Sequence, residues 1–509
     1  MTDGTSNGHR IDARFLAFPF RELGAVALQA AHDAGASYAD FRFERLRSQQ
    51  VVVHDRALQA LVDAETVGFA VRVVHDGAWG FASSASLDPD SAAATARQAV
   101  AVAKALAALN DDPVELASEP SATATWSSDF EIDPFTVSDA DKIERLLSFT
   151  NGLLDSGKVD HADAWALQVL ENKYFASSEG SDITQQRIRV GGDVNATVTS
   201  PSGEIETMRT LNPPRAAGWE RFAGRGPNSH DFDGEMERMP ELLAEKMQAP
   251  SVEPGHYDLV IDPSHLFLTI HESIGHATEL DRALGYEANY AGTSFATIDK
   301  LNNLKYGSEV MHITGDRNVA HGLSTVGYDD EGVAAQEWDI VKDGILVGYQ
   351  LNRQMALKQG FGRSNGCAYA DSPHHVPIQR MPNVSLQASP NDISLDDLIG
   401  AVDRGIYIVG DGSWSIDMQR YNFQFGGQRF YAITNGKLGP QVKDVAYQGT
   451  TTDFWGAMEA VGGRDTWVLG GAFNCGKGQP GQVAPVSHGC PAALFRGINV
   501  LNTKAESGR

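Results

Sequence analysis

The chain has 509 residues, an apolar share of 42% and a charged share of 21%, the make-up of a globular protein with room for two or more cores. Against 41 Lys and Arg stand 66 Asp and Glu, a formal charge of −25. That balance excludes direct binding to nucleic acid or to an anionic membrane surface, both of which need clustered cations.

No apolar run is long enough to span a bilayer, and residues 1–10 lack the basic-then-apolar pattern of a signal peptide. The three cysteines, Cys367, Cys475 and Cys490, make no disulfide framework, so a reducing, cytoplasmic compartment is expected.

After a polar leader (residues 1–19), residues 20–34 read as an amphipathic helix stopped by Gly35. Strand patterns follow over 38–44, 51–53 and 68–74, with His75-Asp76-Gly77 turning into a further run over 78–82. Residues 90–109 are rich in Ala and free of Gly and Pro, the clearest helix in the chain. Residues 112–140 read as a surface crossing and 139–154 as a helix. Strands are expected over 164–170, 171–177 and 185–198, with Ser177-Ser178-Glu179-Gly180 as a turn. A helix over 235–248 and a linker over 250–254 close a first domain, residues 20–250. The expected architecture is α+β, a sheet with helices packed on one face.

The second domain, residues 251–509, is rich in Gly and in short β-type runs. Lys342-Asp343-Gly344 and Thr434-Asn435-Gly436 are hairpin turns. A mostly antiparallel sheet or partly closed barrel is expected, carrying a helix that holds the chemistry.

That helix contains His271-Glu272-Ser273-Ile274-Gly275-His276, behind the apolar lead-in Leu266-Phe267-Leu268-Thr269-Ile270. Two imidazoles around a carboxylate are the parts of a divalent-metal site with its own base. The histidines stand at i and i+5, about 140° apart on a regular helix. A π-bulge, or loosening at Gly275, is needed to turn them to one ion. Two histidines want a third ligand. Gly470-Gly471-Ala472-Phe473-Asn474-Cys475-Gly476-Lys477-Gly478 offers a thiolate in a backbone free to turn, with Lys477 placed to depress its pKa. Cys490, in His488-Gly489-Cys490-Pro491, is the rival and Cys367 a weaker one; spacing does not choose between them.

Taken in order, the Glu272 motif, Asp329-Asp330-Glu331-Gly332 and Cys475-Gly476-Lys477-Gly478-Gln479 resemble the TldD/PmbA family of metallopeptidases, and its TldD-type member in particular. Tyr38-Ala39-Asp40, Gly68-Phe69-Ala70-Val71-Arg72, Gly80-Phe81-Ala82 and Ser177-Ser178-Glu179-Gly180 resemble the family's N-terminal half. The likeness spans roughly residues 20–500. It implies that His271, His276 and Cys475 bind Zn2+ and that Glu272 is the catalytic base. It further implies substrates that are unfolded peptides or peptide precursors, and pairing with a metal-free PmbA-type homologue, or with a second copy as a homodimer. A peptide adding as a strand to a sheet edge would be held with little sequence demand.

His374, His375, Arg380 and Tyr328 are candidates for oxyanion stabilisation; Asp329, Asp330 and Glu331 read first as a solvated turn and second as partners behind a ligand imidazole. Two other readings stand beside the peptidase: a non-catalytic regulatory protein with a structural metal site, and a metal-dependent hydrolase of non-peptide amides.

Overall fold

The computed structural model describes residues 11–506 other than 225, 227, 479 and 480. The first ten residues of the leader, with the signal-peptide reading made on them, lie outside the described residues, as does Gln479 of the cysteine motif. The rest of the leader carries a short helix, α1 (Ala13–Leu16), anchored by buried Phe15. Among the described residues no helix is long and apolar enough to cross a membrane.

The N-terminal half is built on one eight-stranded sheet. Strands β1 (Tyr38–His54) and β2 (Ala57–His75) form a long antiparallel hairpin. β3 (Ala78–Ser84) pairs with β2, and β5 (His161–Ser177) pairs along β1. The two strands expected over 164–170 and 171–177 are this single strand, because no breaker interrupts the alternation between them. The crossing over 112–140 contains β4 (Thr123–Ser127), which lies parallel to β6 (Asp182–Gly191). β7 (Val194–Thr199) and β8 (Ile205–Arg209) complete the sheet.

Period-two alternation gives this sheet two faces of different chemistry. On one, Phe41, Phe43, Phe69 and Val71 pack under α2 (Phe20–Asp33) and α3 (Pro89–Ala107). Farther along, Val51, Ala164 and Ala166 pack under α4 (Asp139–Asp155) and α5 (Phe232–Gln248). Helices therefore cover one face, as expected. α3 starts where Asp88 accepts the Ser91 N–H at 2.8 Å and Pro89 fills the first turn, both standard ways to begin a helix.

The opposite face carries charge and is nonetheless buried, against the C-terminal half. Lys173 pairs with Asp330 at 2.8 Å, Arg72 with Glu331 at 3.0 Å and Arg353 with Glu179 at 2.7 Å. Arg42 donates to the carbonyls of Ser372 and His375 at 2.9 and 2.6 Å. The expectation of a solvated turn at Asp329-Asp330-Glu331 is thus corrected. Asp329 caps its own turn through the N–H groups of Glu331 and Val333, both at 2.9 Å, and its two neighbours clamp the halves together.

In the C-terminal half five strands close on themselves. Arg404–Ile416 pairs antiparallel with Asn422–Thr434, which pairs with Val445–Thr450, which pairs with Ala493–Asn502. Ala493–Asn502 pairs antiparallel with β9 (Gly255–Ile261), and β9 lies parallel to Arg404–Ile416. The fold is α+β with a mostly antiparallel, barrel-like second half. Helix α6 (Pro263–Ile270) leaves β9 through a cap in which Asp262 accepts the Ser264 N–H at 2.9 Å. It buries Leu266 and Ile270 in the same core as Trp455, Tyr447 and Phe495.

Candidate metal centre

α6 changes pitch where its histidines begin. Residues His271–Gly275 form a π-turn, closed by the His276 N–H on the His271 carbonyl at 3.1 Å. One extra residue per turn brings the i and i+5 imidazoles together: their ring centroids are 4.7 Å apart. A widened turn sets carbonyls loose, and here the surrounding core satisfies them. Tyr306 donates its hydroxyl to the Ser273 carbonyl at 2.5 Å, Gln350 its amide to the Gly275 carbonyl at 2.5 Å, and Trp455 its indole N–H to Ser273 Oγ at 2.9 Å. At Gly275 a Cβ would stand 2.5 Å from Met381 Sδ, so a larger residue there would have to displace the end of the Met381 side chain.

Cys475 reaches the same point from the Val468–Lys477 strand, paired only with Gln482–Cys490 among the described strands. Its Sγ lies 3.6 Å from His276 Nε2, and one ligand atom each from His271, His276 and Cys475 fall within 4.8 Å of one another. Sequence reasoning left three cysteines open on spacing; the structure brings one to the histidines. Cys490 turns its thiol to the Pro263 carbonyl at 3.7 Å and Cys367 to Asn365 Oδ1 at 3.2 Å.

The hydrogen bonds behind the imidazoles fix which nitrogen each presents. The Val384 carbonyl can only accept, so His488 Nδ1 carries the proton in their 2.8 Å contact. Burial holds His488 neutral, well below the usual imidazole range, helped by neighbouring His271. Its Nε2 must then accept, at 2.8 Å, from His271 Nδ1, which leaves His271 Nε2 with a bare lone pair. On the other side the Glu279 carboxylate accepts from His276 Nδ1 at 2.9 Å, which turns His276 Nε2 toward Cys475. Both rings are set as metal ligands are set, by a partner on the far nitrogen.

Charge completes the set. Burial alone would raise the Cys475 thiol, but His276 and Arg380 outweigh it and draw it below its ordinary value. Lys477 does not do this, contrary to expectation. It is spent on Glu279 at 3.0 Å, Asp281 at 2.8 Å and the Gln379 carbonyl at 2.8 Å, and so balances the carboxylate that orients His276. The donor set fits zinc. With a Zn–S bond of about 2.3 Å and a Zn–N bond of about 2.05 Å, a tetrahedral ion separates sulfur from nitrogen by roughly 3.5 Å, against the 3.6 Å between Cys475 and His276.

Glu272 ligates nothing in this cluster. Its carboxylate accepts from Arg420 Nη1 at 2.5 Å. Burial opposes its ionisation, but His271, His276 and Arg420 prevail and hold it below the usual carboxylate value. Arg420 stands in the left-handed region at φ 64°, a conformation uncommon for any residue but glycine and concentrated at functional sites.

Glu272, Arg420, both histidines and Cys475 open on one cavity of about 1370 Å³ between the halves. The N-terminal sheet contributes Val52 and Trp165 to its wall, the barrel Trp414, and the cysteine strand Phe473. None of His374, His375, Arg380 and Tyr328 lines it. Arg380 is buried behind the strand, donating to the Cys475 and Gln482 carbonyls, so the expected oxyanion candidates are not brought to the site. Arg420, missed on sequence because no motif marks it, is the cation that faces the cavity beside Glu272. His488 and Glu279 were also missed, although Glu279 stands three residues beyond His276.

Comparison with known proteins decides the lineage. The family profiles described as PmbA/TldA metallopeptidase domain 1, central domain and C-terminal domain match residues 39–103, 132–246 and 254–502. The chain belongs to the TldD/PmbA family. Within it, this chain is 28% identical over 481 residues to a metalloprotease of Methanothermobacter thermautotrophicus, covering 94% of this chain and 98% of that one. It is 23% identical to a zinc metalloprotease TldD homolog of Saccharolobus solfataricus, covering 93% and 98%. The crystal structure of TldE from Thermococcus kodakarensis shares the fold at a TM-score of 0.69 and 16% identity, covering 94% of this chain and 99% of that one. A TldD/PmbA chain that keeps the motif thus has its two histidines and downstream cysteine at one point of one cavity.

Proposed function

We propose that this protein is a cytoplasmic zinc peptidase that cleaves unfolded peptides or peptide precursors, with His271, His276 and Cys475 as the zinc ligands and Glu272 as general base. The observation that carries the reading is the convergence of two imidazole Nε2 atoms and a thiol drawn below its ordinary value at the head of a cavity, with a carboxylate beside them that is held below its usual value and is not itself a ligand. A purely structural site has no use for that carboxylate. Zinc held by two neutral imidazoles and a thiolate supplies Lewis acidity toward water and a peptide carbonyl.

The chain's own residues do the rest. Glu272, kept ionised by Arg420, is able to take a proton from water and return it to the leaving nitrogen. The guanidinium of Arg420, facing the same cavity, is placed to offer its remaining N–H groups to an oxygen that gains charge. The cavity wall mixes aromatic surface with exposed backbone of the Val468–Lys477 strand, which suits an extended peptide held by main-chain hydrogen bonds.

The proposal includes the assembly. A site that accepts peptides with little sequence demand needs restricted access, and a dimer with a metal-free PmbA-type homologue, or with a second copy, provides it. The division into domains near residue 250 is part of the same reading.

The test is digestion of an unfolded peptide by the zinc-loaded and the zinc-stripped protein, each with and without a PmbA-type partner, alongside gel filtration. Cleavage that needs zinc and spares compact folded proteins is expected, from a species larger than a monomer. Zinc-independent cleavage, or an active monomer that digests folded proteins, overturns the reading.

A further inference from the structure

A second set of metal-type side chains stands outside the cavity, where the tip of the β1–β2 hairpin meets the start of β5. We propose that His54, Asp55 and His161 bind a divalent first-row transition-metal ion, with Asp163 orienting His54. This assignment does not depend on the peptidase reading.

The positions follow from the sheet register. His54 ends β1 and lies opposite Asp163 of β5, while Asp55 begins the turn at φ 50°. The turn is fixed to β5 by two contacts with Ala162. The Asp55 N–H donates to its carbonyl at 2.7 Å, and Asp55 Oδ1 accepts its N–H at 3.0 Å. With Oδ1 so held, Oδ2 is turned toward both imidazoles, 3.1 Å from His161 Nδ1 and 3.5 Å from His54 Nε2.

Those separations are the point. A tetrahedral ion with bonds of about 2.0–2.1 Å places its ligand atoms roughly 3.3 Å apart, and three such atoms here fall within 4.8 Å of one another. Behind His54, Asp163 Oδ1 lies 2.5 Å from Nδ1. With the Nδ1 proton given to that carboxylate, Nε2 faces a second carboxylate, and only another proton or a cation resolves the meeting. A carboxylate behind a ligand imidazole is the usual support of a bound metal. Two imidazoles and one carboxylate favour Zn2+, Co2+, Ni2+ or Cu2+ over Mg2+ or Ca2+. His54 and His161 are about half exposed, at 47% and 58%, so an ion enters directly from solvent. Once bound, it would tie the hairpin tip to β5.

The experiment titrates the full chain with Zn2+ and separately with Co2+, by calorimetry and by near-ultraviolet and visible absorption. The buried site contains a thiolate and announces Co2+ with a sulfur-to-metal charge-transfer band; the surface site has none. Beyond the ion at the buried site, a further Co2+ per chain should therefore bind without adding to that band. His161→Ala should abolish this binding while leaving the band intact, and Asp163→Asn should weaken it about tenfold or more. In Cys475→Ser the surface ion should remain. Zn2+ should raise the unfolding temperature of Cys475→Ser and not of Cys475→Ser combined with His161→Ala. No Co2+ or Zn2+ bound by Cys475→Ser, or an ion that His161→Ala retains, would mean that these residues form only hydrogen-bonded ion pairs, and the assignment falls.

Discussion

His271 Nδ1 donates to His488 Nε2 across 2.8 Å, between residues 217 apart in sequence. The direction of this bond is set one step farther back, by the Val384 carbonyl on His488 Nδ1. His488→Leu removes the acceptor and frees the His271 ring to rotate or to change tautomer. Zinc affinity, measured by competition with a chromophoric chelator, should fall about 10–100-fold. His488→Gln, whose amide can accept from His271 and donate to Val384, should restore most of it. Unchanged affinity in the leucine variant would remove His488 from this role.

Cys475→Ser should lose most bound zinc from the buried site, because a hydroxyl yields an anionic ligand far less readily than a thiol already drawn below its ordinary value. Cys490→Ser and Cys367→Ser should keep it, since their sulfurs point to the Pro263 carbonyl and to Asn365. Elemental analysis of the three variants decides the matter, and loss of zinc in Cys490→Ser alone would reassign the ligand.

Glu272→Gln keeps the shape of the side chain and removes its basicity. Peptide cleavage should drop by roughly 10²–10⁴-fold, about 3–5 kcal/mol of barrier, with zinc content and thermal unfolding little changed. Near-native turnover would move the base to another residue.

Glu44 offers a pH test remote from the metal. It is fully buried on the charged face of the N-terminal sheet, and neither carboxylate oxygen has a hydrogen-bond partner. Burial raises it from 4.5 to about 7, against the pull of Lys173 and Arg42 and with the push of Glu171 and Asp330. A raised carboxyl keeps its proton in the folded chain where the unfolded chain has lost it. Its contribution to stability is therefore complete below about pH 4.5 and is lost as pH rises through about 7. Glu44→Gln, neutral throughout, should lose less stability than the wild type across that interval and be at least as stable above it. Parallel urea or thermal profiles for the two proteins would contradict this.

Much of this was legible in the sequence for physical reasons that can be named. The spacing of His271 and His276 already demanded a distorted helix, and the π-turn at His271–Gly275 is that distortion. The alternation in residues 38–44 and 68–74 marked strands with one apolar face, and the β1–β2 hairpin bears it out. What stayed hidden was long-range. Asp330 and Glu331 look like a solvated turn until Lys173 and Arg72 arrive from another half of the chain. Lys477 looks like an activator of its neighbour Cys475 until Glu279 and Asp281 claim it. Arg420 belongs to no motif and matters only because the barrel brings its loop to Glu272.

The two parts of the metal centre are separated by 199 residues, from His276 to Cys475. On the ribosome the histidines therefore emerge long before the thiolate, and the strand that delivers Cys475 also delivers Lys477, the counter-charge for the carboxylate behind His276. A chain that stops short of Cys475 holds only two of the three proposed ligands and an uncompensated Glu279, a poor trap for zinc. If the proposed peptidase reading holds, the order of synthesis keeps the site from being competent until the strand carrying Cys475 and Lys477 has been made.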